Sequence, residues 1–212
     1  MGINVKTGIC TASYAHVWKA KPNLSDVLKF SCCMLVKKTL KEDIAAYNKA
    51  IRAAFEEGKT KYGWPEALWN SPKFKKPLRD GDTEIKTGDK KAGIGYEGVL
   101  FMNANSDGEP DSENYSQPEI TKPLNGKVVA ITNQAEFYSG CKCRAALSFY
   151  PFNNKSKGIA VGLNALFKTG DGERLDGRES AESAFSDFAK GTKNLPGDTV
   201  EVTKDASEPF PS

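Results

Sequence analysis

The run Cys141-Lys142-Cys143-Arg144 sets two thiols, which could serve as metal or redox ligands, beside two cations. A zinc site wants four ligands, usually presented as Cys-x₂₋₄-Cys knuckles. Here the spacing is a single residue, and His16 is the only histidine. Side chains alternate along a strand, so Cys141, Cys143, Ala145, Leu147 and Phe149 share one face. That face is apolar, and thiols placed on it act as small core hydrophobes. No metal or other cofactor is expected. Lys142, Arg144, Ala146, Ser148, Tyr150 and Phe152 share the opposite face. Its cations can neutralise phosphates. Its rings can stack on unpaired bases, at about 1–3 kcal/mol per base. Ordinary cross-strand packing of the aromatics on a solvated sheet accounts for the same pattern, and both readings stay open.

The next segment, "KGIAVGLNALFK", puts Ile159, Val161, Leu163 and Phe167 on the core side. Gly158, Ala160, Gly162 and Asn164 lie opposite, leaving room for a backbone or base. Upstream, Lys59, Lys61, Lys73, Lys75, Lys76 and Arg79 interleave with Tyr62, Trp64, Trp69 and Phe74. At least one of these tryptophans is expected to pack the connector onto the body. Tyr14, His16 and Trp18 share a face of the first strand.

Other motifs lead nowhere. "EEGKT" lacks the first glycine of a phosphate-binding loop and no strand precedes it. "NANSDGEPDSEN" starts like a calcium loop, but its twelfth position is Asn114 and Pro110 interrupts it. One histidine gives no readable Ser-His-Asp set, and nothing supplies positive evidence for catalysis. Cys32 and Cys33 are strand neighbours that point opposite ways, and Cys10 makes the cysteine count odd. With no export signal, reduced thiols and a cytoplasmic protein are expected. No apolar run reaches 18 residues, so no membrane span is expected.

The elements that position these residues read as about six strands and one helix. Residues 3–20 alternate as one long strand, and 28–38 as a second. Leu40, Ile44, Tyr47, Ile51, Ala54 and Phe55 follow helical spacing, with Thr39 placed to cap and Gly58 to end the helix. Residues 59–92 form a proline-punctuated connector. Strands follow in "YEGVLFMNA" and "GKVVAITN", separated by an acidic loop at 105–119. This order favours a small β-barrel or sandwich. The net charge is +3, but residues 169–212 hold 10 of the 27 acidic and 5 of the 30 basic residues. A basic body with an acidic end implies a polyanion partner for the body. Two regions are expected: a domain at 1–168 and a largely flexible tail at 169–212.

"PLRDGD", "FYSGCKCRAALSFYPFNNKSKGIAVGLNALFK" and "DGERLDGRESAESAFSDF" resemble the single-stranded-DNA-binding proteins of tailed bacteriophages. "ASYAHVWKA" and "FSCCMLVKK" are similar too, so the resemblance covers nearly all of residues 1–188. It implies an OB-fold barrel with one inserted helix and an acidic tail. The implied function is non-catalytic, sequence-nonspecific coating of single-stranded DNA in phage replication, recombination and repair, in the cytoplasm of an infected host. The face argument nominates Lys142, Arg144, Tyr150, Phe152, Lys155, Trp18, Trp64, Lys75, Lys76 and Arg79 as DNA-binding residues. In the tail, Asp205, Glu208 and Phe210 resemble the acidic, Pro-Phe-tipped ends through which such proteins recruit replication partners, although Pro211 and Ser212 follow here. A solubilising tail is the alternative. A phage structural or adaptor barrel, or a DNA-annealing recombination protein, are the competing functions.

Overall fold

The computed structural model describes residues 2–23, 25–90 and 95–175. The described strands are β1 (Ile3–Lys6), β2 (Cys10–Pro22), β3 (Leu28–Lys37), β4 (Arg79–Asp80), β5 (Val99–Asp107), β6 (Glu119–Leu124), β7 (Lys127–Ala130), β8 (Lys142–Asn153) and β9 (Lys157–Gly170). Two α-helices accompany them, α1 (Lys41–Tyr62) and α2 (Gly81–Thr87). Strand pairing closes a ring in the order β8, β2, β3, β5, β9 and back to β8. Within that ring only β5 and β9 run parallel, joined at the single pair Asn105–Gly162. A five-stranded, partly open ring of this kind is OB-like. β1 lies along β8, and the β6–β7 hairpin adds to the far end of β9.

Alternation builds the ring as expected on β8, where Cys143, Ala145, Leu147, Phe149 and Pro151 are buried and their neighbours are not. They face a core shared with Met34, Tyr47, Phe55 and Leu163. All five cysteines are buried free thiols. Cys10 and Cys143, opposite each other on β2 and β8, share a hydrogen bond at 3.8 Å. Burial, and for Cys143 that bond, push the thiols of Cys32 and Cys143 well above the ordinary range. A smaller cluster of Cys33, Leu35, Tyr96, Val99 and Phe101 covers part of the outer face.

Several boundaries differ from expectation. The first long strand is two, because Thr7 is buried between them and ties the break to β8: Ala145 N donates to its Oγ1 at 2.8 Å. The helix starts after Leu40 without a side-chain cap, so Thr39 does not cap it. It also passes through Gly58 and ends at Gly63, whose φ is 66°. Gly58 serves packing: a Cβ there would lie 2.3 Å from the Trp64 ring. β6 was hidden by Pro123, which sits past Thr121, the last residue pairing with β9. Proline is tolerated at such an edge. On β9 the core residue is Leu166, and Phe167 is only half-buried, because a register shift between Ala146 and Leu147 reverses the alternation. The chain stays packed on the body past residue 168: β9 runs to Gly170, and Leu175 N donates to Ser139 O at 2.9 Å. Residues 176–212 lie outside the described set.

Candidate nucleic-acid interface

Registers carry one row of side chains across six strands. Asn4 of β1 pairs with Ser148 of β8, and Ser148 with Gly162 of β9. Gly162 pairs with Asn105 of β5, Asn105 with Ser31 of β3, and Ser31 with His16 of β2. Every member is small or polar and none is buried in the core. Alternation puts Asn103 on the same face of β5. On β2 the row needs a bulge. Register shifts between Ser13 and His16, and Tyr14 in that gap has φ 46°. Positive φ in a bulky residue is strained and concentrates at functional sites. It leaves the Tyr14 ring 52% exposed.

The row lies in a concave surface. A hollow of about 410 Å³ is lined by Tyr14, His16, Lys21, Lys29, Lys90 and Asn103, among others. A second hollow shares Lys29 and Asn105 and reaches Tyr150, Gly162 and Asn164. The first is electropositive. Lys90 Nζ sits 4.6 Å from the Tyr96 ring centroid and 5.3 Å from that of Tyr14. Arg79 stacks 4.4 Å from the Phe101 centroid and pairs with Glu84 at 3.1 Å. Burial pushes the Cys33 thiol up to about 11, although Tyr96, Lys90 and Arg79 pull it the other way. Partial burial, and then the Lys21 charge, hold His16 below its usual value. Such a surface can hold phosphates and unpaired bases; among the described residues no three His, Cys, Asp or Glu side chains converge as metal ligands.

The nominated residues do not form one patch. Tyr150, 38% exposed, packs beside Gly162, where an added Cβ would meet its ring edge at 3.5 Å. Phe152 is half-buried beside Gly158. The space above Gly158 is filled by the protein itself: Lys75 N donates to Lys157 O and Lys75 O accepts from Ile159 N, both at 3.0 Å. This brings exposed Lys75 and Lys76 to the β8–β9 turn that carries exposed Lys155. Lys76 also covers Trp69 at 4.1 Å. Lys142 and Arg144 occupy the other end of β8, about 27 Å and about 20 Å from Tyr150 by strand rise. Lys142 Nζ donates to Thr11 Oγ1 at 2.7 Å, and Arg144 is exposed. Between the two ends, Asn164 donates to Ser148 and Ser148 to Asn4, each at 2.7 Å.

Trp64 is a correction. It is 3% exposed, enclosed by Phe55, Tyr62 and Phe74, and offers no face to a ligand. Trp18 is half-buried and donates its indole N–H to Phe137 O at 3.1 Å. Asp205, Glu208 and Phe210 lie outside the described residues. Lys21, Lys29, Lys90, Asn103, Asn105 and His16, which line the hollows, are absent from the residues nominated from sequence. The polar alternation of Asn103, Asn105 and Asp107 in "LFMNANSD" was the available signal.

A family model described as the ssDNA-binding protein of Enterobacter phage Enc34 matches residues 3–196. The Enc34 single-stranded DNA-binding protein, solved in complex with ssDNA, superposes with a TM-score of 0.59 at 18% identity, covering 81% of this chain and 89% of that one. Its C-terminally truncated form gives 0.58 at 20% identity, over 81% and 88%. At this identity the likeness is one of fold. A putative protein p50 of Acyrthosiphon pisum secondary endosymbiont phage 1 is 29% identical over 107 residues, half of this chain and 52% of that protein.

Proposed function

The chain belongs to the phage single-stranded-DNA-binding family typified by Enterobacter phage Enc34, and from that membership we propose that it coats single-stranded DNA without catalysis and without overall sequence preference. The observation that supports this most is the continuous small-and-polar row across the OB-like ring, lined by Lys21, Lys29 and Lys90. The strand's phosphates meet Lys21 and Lys90 and the cations of the β8–β9 end, Lys75, Lys76 and Lys155. Bases stack on Tyr150, with Phe152, Trp18, Arg79, Lys142 and Arg144 extending the path. The acidic tail, through Asp205, Glu208 and Phe210, docks replication or recombination proteins. The protein works in replication, recombination and repair in the cytoplasm of an infected host. Among the described residues no helix is long and apolar enough to cross a membrane.

Titration with oligo-dT of graded length, read by tryptophan fluorescence, tests the core of this reading. Binding that tightens with length up to one site size and weakens steeply with salt is expected. No binding at low salt would overturn it in favour of a protein-binding barrel. A pull-down with Phe210→Ala tests the tail: partner capture that survives the change removes Phe210 from the docking site.

A further inference from the structure

Where the row passes Gly162, the surface forms an open slot of about 320 Å³. That is the small end of ligand-pocket volumes, which run from about 300 to 1,000 Å³. Tyr150 and Gly162 line it together with Asn114 and Ser116 of the chain leaving β5. That chain is folded back on Asp107: Ser116 N donates to Asp107 O at 2.9 Å, and Ser112 Oγ to Asp107 Oδ2 at 2.7 Å.

The slot's charges cancel. Lys29 Nζ lies 3.3 Å from Asp107 Oδ1. The Ser112 hydrogen bond, a backbone N–H and Lys29 hold the Asp107 carboxyl below its ordinary value, so it is ionised at neutral pH. A phosphate therefore gains little here. Hydrogen-bonding capacity, in contrast, is unspent. The side chains of half-buried Asn105 and of exposed Asn114 and Ser116 make no hydrogen bond to any described residue. An uncharged flat ring with donors and acceptors along its edge uses both the Tyr150 ring and these groups.

We propose that this slot receives one unpaired nucleobase of the bound strand. Its ring stacks on Tyr150, and Asn105 and Asn114 hydrogen-bond its edge. The proposal rests on the single-stranded-DNA reading and refines it: most of the strand is held regardless of sequence, and one position per protein is base-sensitive. Side-chain amides distinguish base edges because each presents donors and an acceptor in fixed geometry.

The test compares dissociation constants for oligo-dA, oligo-dC and oligo-dT of one length, by fluorescence anisotropy, in the full-length protein and in Asn105→Ala/Asn114→Ala. The spread between tightest and weakest homopolymer should shrink about tenfold in the variant, or ~1.4 kcal/mol. Should the double variant not fold, Asn114→Ala alone, at an exposed position, provides the same readout and should also narrow the spread. An identical spread in wild type and in a variant of native melting temperature overturns the slot. Failure of the wild type to bind any of the three strands would instead overturn the single-stranded-DNA reading itself.

Discussion

Replacing Lys21 and Lys90 together with alanine separates the groove from the outer face of β8 as the main phosphate path. Both line the larger hollow, and neither has a carboxylate partner among the described residues. Lys29 in the same hollow is paired with Asp107, so its charge is already compensated. On single strands each neutralised phosphate contributes about 0.7 to the slope of log K against log salt. Removing two of these cations should flatten the slope by about 1.4. Between 50 and 200 mM salt, a fourfold change, the wild type should then lose ~7-fold more affinity than the variant. Anisotropy titrations of a labelled oligo-dT at four or more salt concentrations measure both slopes. Thermal melts should show only a small drop, from loss of the Lys90 contact with the buried Tyr96 ring. A slope change below about 0.3 would refute the assignment of these lysines to phosphates.

Charge reversal of Lys142 and Arg144 should also flatten the salt slope, by about 0.7 for each phosphate that these side chains neutralise. An unchanged slope would confine the DNA to the hollows and the β8–β9 turn. Trp64→Ala should destabilise the fold by about 3–5 kcal/mol in chemical denaturation, as large core truncations do. Gly58→Ala should also destabilise it, because its methyl group would invade the Trp64 ring. A Trp64→Ala protein of native stability but weakened binding would contradict the buried assignment. The His16 pKa is depressed in the free protein, so the unfolded chain takes up the proton first as pH falls. Its contribution to stability is therefore complete above the unfolded value of about 6.5 and declines below it. DNA phosphates favour the protonated ring, so affinity should rise as pH drops from about 7 to about 5.5, and His16→Gln should flatten that rise. An equal pH response in the variant would remove His16 from the DNA path.

Periodicity alone made most of the framework legible. Strict alternation in Cys141–Phe152 placed the thiols inward and Tyr150 outward, because a strand's pleat leaves each side chain one face to choose. The stripe from Ile44 to Phe55 located the helix because apolar residues three to four apart must bury together. What stayed hidden depended on partners distant in sequence. Trp64 reads like the other connector aromatics, and only its fit over Gly58 shows that it is core. Gly158 and Gly162 look equivalent, yet one meets the Lys75 backbone and the other stays open beside Tyr150. Phe167 follows the pattern of Val161 and Leu163 until a bulge, opposite a strand that sequence cannot align, shifts the register by one. The polar row from Asn4 to His16 draws residues from six strands across more than 150 positions. Each of those residues is unremarkable in its own segment. Strand pairing alone sets them side by side, since hydrogen-bonded register, and no local preference, decides which residues of distant strands become neighbours.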